Sequence, residues 1–183
     1  MSDVHPRDTK ASSQPTPPAA IDLLFVIDTV TLLERSPKAK DAADPVTVES
    51  DCCYCLVSGT TQLTATNDGQ VSLQAPAGMP VRLRWSPLAL RGEHAVLLNV
   101  SLADDKTLGP IALQVQEDAT LPVFEFTQSG MKDKPAWRVV PDVFWETQVV
   151  APGTVNAIVE ADIAGRDGQI IARFCWTLSL TVS

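Results

Sequence analysis

TVNAIVEADIAGRDGQIIARFCWTLSLTV, residues 154–182, is the stretch on which the fold turns. In its first half Val155, Ala157, Val159, Ala161 and Ile163 recur at every second position, with Asn156, Glu160 and Asp162 between them. A repeat of two belongs to a strand with one buried face, because successive side chains leave a pleated chain on opposite sides. Gly165-Arg166-Asp167-Gly168 then reverses the chain. On the way back Ile170, Ala172, Phe174, Trp176, Leu178, Leu180 and Val182 share one face, and Arg173, Cys175, Thr177, Ser179 and Thr181 share the other. The whole stretch predicts a long hairpin.

The same period returns upstream. Asn67-Asp68-Gly69 is a turn signal, and after it Val71, Leu73 and Ala75 alternate with Gln70, Ser72 and Gln74. Val81, Leu83 and Trp85 alternate with Arg82 and Arg84, and residues 76–80 make the turn between these two strands. Residues 52–57, 95–102, 111–115 and 123–126 are further strand candidates, separated by Asp104-Asp105-Lys106 and Gly109-Pro110. Ile21–Ile27 is almost continuously apolar, as befits a central strand covered on both faces. Asp28 or Thr29 can cap a short helical turn over 30–35 that Pro37 stops, and residues 36–51 read as an irregular connection.

About 9–11 short strands with no recurrent amphipathic helix exclude a βαβ architecture. The expected fold is all-β: an antiparallel β-sandwich, jelly-roll or immunoglobulin-like, with at most one short helical turn. Residues 21–183 form its single domain, a size that buries a sufficient core without metal or disulfide. Residues 1–20 differ, since they carry Pro6, Pro15, Pro17 and Pro18 and, after the initiator, Val4 as their one apolar residue larger than Ala. Such a stretch cannot offset the entropy of ordering it and is expected to be a disordered N-terminal tail.

Its Arg7 and Lys10 balance Asp3 and Asp8, so the formal charge of -8 lies on the domain. That acidity repels phosphate backbones and anionic lipid, which argues against nucleic acid and membrane as partners. No cationic start precedes an apolar h-region, and Ile21–Ile27 with its continuation is too short and too interrupted by Asp22 and Asp28 to span a bilayer. The expectation is a cytoplasmic protein.

Chemistry is scarce. Of two histidines, His5 lies in the tail and His94 in a probable turn, with no nucleophile signature beside either. Three of the four cysteines sit in Cys52-Cys53-Tyr54-Cys55, where Cys53 and Cys55 share a strand face and suit a buried apolar role better than a zinc site completed by Cys175 and His94. The nine glycines form no phosphate-cradling loop, and no cofactor or metal is expected. Asp142 and Glu146, with Phe144 and Trp145 between them, are a conceivable hydrolytic carboxylate pair, and Glu160 with Asp162 reads as a solvated strand face. Trp85 and Trp176 fall in the apolar phase of their strands and belong to the core. Trp137 and Trp145, beside Pro135 and Pro141, together with Asp142 form the candidate ligand or interface set: an exposed aromatic can stack on a sugar or anchor a subunit. No catalytic constellation emerges, and the chain is not read as an enzyme.

The chain resembles the bacterial AidA/PixA inclusion-body protein family. The likeness is carried by Ile21-Asp22-Leu23-Leu24-Phe25-Val26-Ile27-Asp28-Thr29, by Ala75-Pro76-Ala77-Gly78 leading into Val81-Arg82-Leu83-Arg84-Trp85, and by the closing Phe174-Cys175-Trp176-Thr177-Leu178-Ser179-Leu180-Thr181-Val182. The resemblance implies a non-enzymatic protein that accumulates in the cytoplasm under quorum-sensing or stationary-phase control, self-associates as a homo-oligomer and packs into inclusions. A carbohydrate-binding, lectin-like sandwich is the alternative.

Overall fold

A computed structural model describes residues 20–40, 44–58, 64–89, 92–127, 130–131 and 134–183. The expected disordered tail therefore lies, except for Ala20, outside the described residues. The C-terminal hairpin is present as read: β14 (Gly153–Ala164) and β15 (Ile170–Val182) pair antiparallel, with a bulge between Ile163 and Ala164. Its apolar phase is buried from Val155 to Ile163 and from Ala172 to Val182, while Ile170, beside the turn, is exposed.

On one side β14 pairs antiparallel with β7 (Ala95–Leu102), the edge of this sheet. Along its other side β15 takes two short parallel partners, β2 (Val46–Thr47) and β5 (Gln70–Leu73). The second sheet runs β4 (Thr64–Thr66), β3 (Cys53–Ser58), β1 (Ile21–Ile27), β6 (Pro80–Pro87), β13 (Asp142–Gln148) and β8 (Ala112–Gln116). As expected β1 is central; it is antiparallel to β3 but parallel to β6.

The all-β expectation holds, but the wholly antiparallel pairing is corrected: both main sheets are mixed. The reason lies in the turns. Asn67-Asp68-Gly69 closes no hairpin: it carries the chain from β4 in one sheet to β5 in the other, and residues 74–79 carry it back to β6. A strand that arrives by crossing between sheets is free to run parallel to its neighbour, whereas a two-residue hairpin forces the antiparallel sense. The fifteen strands among the described residues also exceed the expected 9–11, because several are pieces of two or three residues, too short to show a period.

Helix α1 (Thr29–Arg35) follows the local expectation. The Asp28 carboxylate accepts from Thr31 N at 3.0 Å and Thr31 Oγ1 at 2.8 Å, a cap worth about 1 kcal/mol. The connection after it is less irregular than expected, with 3-10 turns at Pro37–Lys40 and Ser50–Cys52 adding to the single helical turn foreseen. Leu32 and Leu33 of α1 join the core, which is one continuous cluster fed by both sheets: Leu23, Phe25, Ile27 and Leu83 from one, Leu98, Val159, Phe174 and Leu178 from the other. Full burial of each such side chain contributes about 1.5–3 kcal/mol.

The described residues between 117 and 141 leave this body. Beyond β8 and β13 the two chains continue as β9 (Thr120–Val123) and β12 (Ala136–Val139), paired antiparallel, and then as β10 (Phe126–Thr127) and β11 (Gly130–Met131). Glu117, Asp118 and Ala119 face only Val140 and Pro141, so the register slips by one residue at the base, and Val140 N donates to Ala119 O at 2.8 Å. An extra residue on one strand bends and twists a ribbon away from its sheet.

Candidate functional site

On the outer face of the β1–β6–β13 sheet, alternation brings Arg82 and Arg84 of β6 beside Asp142, Phe144 and Glu146 of β13. Arg84 grips Asp142 through both its Nε (3.1 Å) and Nη2 (2.7 Å), and its Nη1 also bonds Asp22 of β1. Arg82 Nε reaches Glu146 Oε2 at 2.9 Å. Between the two arginines lies the Phe144 ring, 1% exposed and outside the main core, with the Arg84 and Arg82 guanidinium carbons 4.5 and 5.3 Å from its centroid. Cation–π contact lets charged side chains roof an aromatic that a half-open sheet face would otherwise expose.

These pairings answer the hydrolytic question. The hydrogen bond from Arg84 holds the Asp142 carboxyl below its ordinary range, against the opposing effect of burial. A general acid needs the reverse, a carboxyl that keeps its proton near neutral pH. Both carboxylates are committed to arginines, and the arrangement braces three strands rather than attacking a bond.

The three candidate residues do not converge. Asp142 faces outward in the charged lattice. Trp145, three residues along the same strand, faces inward, packs against the core and donates its indole N–H to Leu98 O at 2.8 Å. Trp85 makes the equivalent bond to Val96 O at 2.7 Å. Trp137 sits apart on the ribbon and is 70% exposed. Trp176 is buried, and its indole N–H, which meets no full hydrogen-bond geometry among the described residues, has the Cys53 thiol as its neighbour.

The other reactive side chains are equally dispersed. His94 Nδ1 lies 2.8 Å from Thr29 Oγ1, but that hydroxyl belongs to a residue with no exposed surface, out of reach of any substrate. Cys53 and Cys55 face the core, where burial pushes both thiols up to about 12; the neighbouring Cys55 adds to the shift at Cys53 and the Trp176 indole opposes it. Such thiols are inert at neutral pH. Cys175 lies on the opposite face of β15 beside Thr47 Oγ1 at 3.4 Å, and no group of three or more potential ligands is placed to hold a metal among the described residues. Two open clefts of about 470 Å³ exist, one by Leu102, Asp104 and Ile111, the other by Glu49, Asp51 and Asn67; neither includes a candidate residue.

Sequence reasoning missed Phe144 and the two arginines as a unit. The signal was present in the matching i, i+2 spacing of Arg82 with Arg84 and the i, i+4 spacing of Asp142 with Glu146, but only the β6–β13 register brings them together.

The features define a class: a two-sheet β protein whose charged groups brace its own strands and whose two most exposed large apolar side chains among the described residues, Trp137 and Val139, are borne on a two-stranded ribbon. Over residues 19–182 the sequence matches the PixA family, inclusion body proteins, and the chain belongs to that family. A crystal structure of an inclusion body protein of this family from Burkholderia cenocepacia J2315 superposes with a TM-score of 0.66 at 17% identity, over 90% of this chain and 95% of that one. A cysteine protease inhibitor from Entamoeba histolytica aligns with 62% of this chain and 84% of its own, at 8% identity and a TM-score of 0.23. No curated protein matches the sequence. None of the helices among the described residues is long and apolar enough to cross a membrane.

Proposed function

We propose that this inclusion-body-type protein works by accumulation rather than by catalysis: it self-associates in the cytoplasm into packed inclusions, under quorum-sensing or stationary-phase control. Family membership over residues 19–182 is the observation that carries this reading. The internal commitment of Arg82, Arg84, Asp142 and Glu146 supports the non-enzymatic part, because a catalytic group must be free to exchange protons or bonds with a substrate. Light scattering coupled to size-exclusion chromatography, run over a range of concentrations, tests the self-association. Mass that rises with concentration is expected; a strict monomer at every concentration defeats the reading. Imaging and fractionation of cells sampled through growth test the inclusions, their compartment and their timing.

Carbohydrate binding retains one supporting observation, the exposed ring of Trp137. A sugar site also needs polar groups converging beside the aromatic. Arg138 next to it is drawn to Glu125 at 3.7 Å. A glycan array probed with the full chain decides between the two.

A further inference from the structure

We propose that β8 is the edge by which two copies of this chain recognise each other, pairing β8 with β8 antiparallel about a two-fold axis; the inference rests on the self-association reading above. β8 is the last strand of its sheet, its five residues Ala112–Gln116 are all exposed, and among the described residues its backbone bonds only to β13. The facing sheet stops short of it. Trp85 of β6 and Trp145 of β13 donate to Val96 O and Leu98 O of β7, so β7, the last strand of that sheet, lies under β6 and β13. β8 stands one strand further out. Leu113 and Val115 are registered with Trp145 and Val143 and share their inward face, yet they are 44% and 55% exposed. An open edge presents unpaired N–H and C=O groups that template another strand, and here uncovered apolar side chains lie beside them.

Charge and side-chain pattern select a second copy as the occupant. Edges are commonly blunted by Lys, by Pro within the strand or by a bulge, and β8 has none of these. From Thr107 to Gln116 the chain carries no charged residue, in a protein of net charge -8. Two copies of like charge approach at least cost where neither presents a charge. Two copies of one edge meet isologously, about a two-fold axis, and this runs the strands antiparallel. Centred on Gln114, the pairing sets Leu113 of each copy against Val115 of the other, and Ala112 against Gln116. Glu117 and Asp118 then fall opposite Ile111 and Pro110, not opposite each other. The N-terminal residues make a poor rival strand, since Pro6, Pro15, Pro17 and Pro18 have no N–H to donate and Val4 is the one large apolar residue after the initiator. A pair of five-residue strands buries little area, so the dimer forms only as concentration rises, the condition that accumulation supplies.

The experiment compares the full chain with Leu113→Lys and Val115→Glu, two exposed positions, after circular dichroism and thermal melts show that each variant folds. Sedimentation velocity over a concentration series is expected to show wild-type monomer passing to dimer, with an apparent dissociation constant raised about tenfold or more in either variant alone. Mixing the two variants restores association, because the new ammonium of one copy meets the new carboxylate of the other while the second Leu113–Val115 pair stays intact. Gln114→Cys, placed at the axis, forms an intermolecular disulfide under mild oxidation, whereas Asn156→Cys, exposed on the other sheet, does not. If a charged variant fails to fold, the cross-link decides alone. Folded variants that associate like the wild type, or Gln114→Cys that cross-links no faster than Asn156→Cys, overturn the proposal while leaving self-association standing. So does slow hydrogen exchange at β8 in the dilute monomer, the mark of an edge covered within its own chain. A wild type that is monomeric at every concentration overturns both readings.

Discussion

The indole nitrogen of Trp145 lies 2.8 Å from the backbone carbonyl of Leu98, reaching it from the opposite sheet. Trp85 of β6 makes the same bond to Val96 O, two residues from Leu98 along β7. Since β7 is an edge strand, its outward carbonyls would face water or a foreign strand; the indoles tie them to β6 and β13. Apolar burial and edge protection are thus supplied by the same two rings.

Replacing Trp145 with Phe keeps most of the packing and removes the N–H donor. The expected loss is about 1–2 kcal/mol of stability, read as a lower urea midpoint with unchanged slope. Trp85→Phe should behave alike. If Trp145 instead serves a ligand, Trp145→Phe leaves the midpoint in place.

Asp142 gives a pH signature. Its carboxyl is held below the ordinary value by the hydrogen bonds from Arg84, so on acidification the unfolded chain takes up this proton first. The stabilisation is complete above the unfolded pKa, about 4, and disappears as pH falls through the depressed folded value. Asp142→Asn should be less stable than wild type at neutral pH, and the gap should narrow toward about pH 2–3. Denaturation midpoints at both pH values check this, and a gap independent of pH rejects it.

The buried cysteines predict selective chemistry. With thiols pushed up to about 12, Cys53 and Cys55 should resist iodoacetamide at pH 8 in the native protein and react only on unfolding, while half-buried Cys175 reacts sooner. Peptide mass spectrometry after pulsed labelling in buffer and in denaturant reads the order. Native labelling of Cys53 at the rate of Cys175 would contradict its placement in the core.

Gly69 holds the crossing from β4 to β5 at a φ of 77°, and a Cβ there would stand 2.7 Å from Ser50 Oγ and 3.4 Å from Thr177 O. Its own carbonyl accepts from Ser179 N at 2.7 Å. Gly69→Ala should cost about 1–2 kcal/mol or more, from the left-handed backbone and the close contact together. A thermal melt indistinguishable from wild type would show that the turn is not constrained in this way.

Much of this molecule was legible locally. The inward faces of β5, β14 and β15, the Asp28 cap, the Gly69 turn and the family likeness can all be read from neighbouring residues, because the pleat alternates side chains whatever the strand is paired with. Partner choice is another matter. That Asn67-Asp68-Gly69 crosses between sheets, that β1 lies parallel to β6, and that β9 and β12 pair apart from the two main sheets depend on contacts between distant segments. Closing a loop costs only slightly more as it lengthens, so spacing alone does not rank the possible partners. The site followed the same division. Trp137 was recognisable as a surface aromatic, but Arg84 meets Asp142 across 58 residues and Trp145 meets Leu98 across 47, pairings created by register and by the packing of one sheet on the other. Composition and period determined which side chains seek the core; only the tertiary structure decided which strands they meet there, because hydrophobic burial has no direction and strand pairing does.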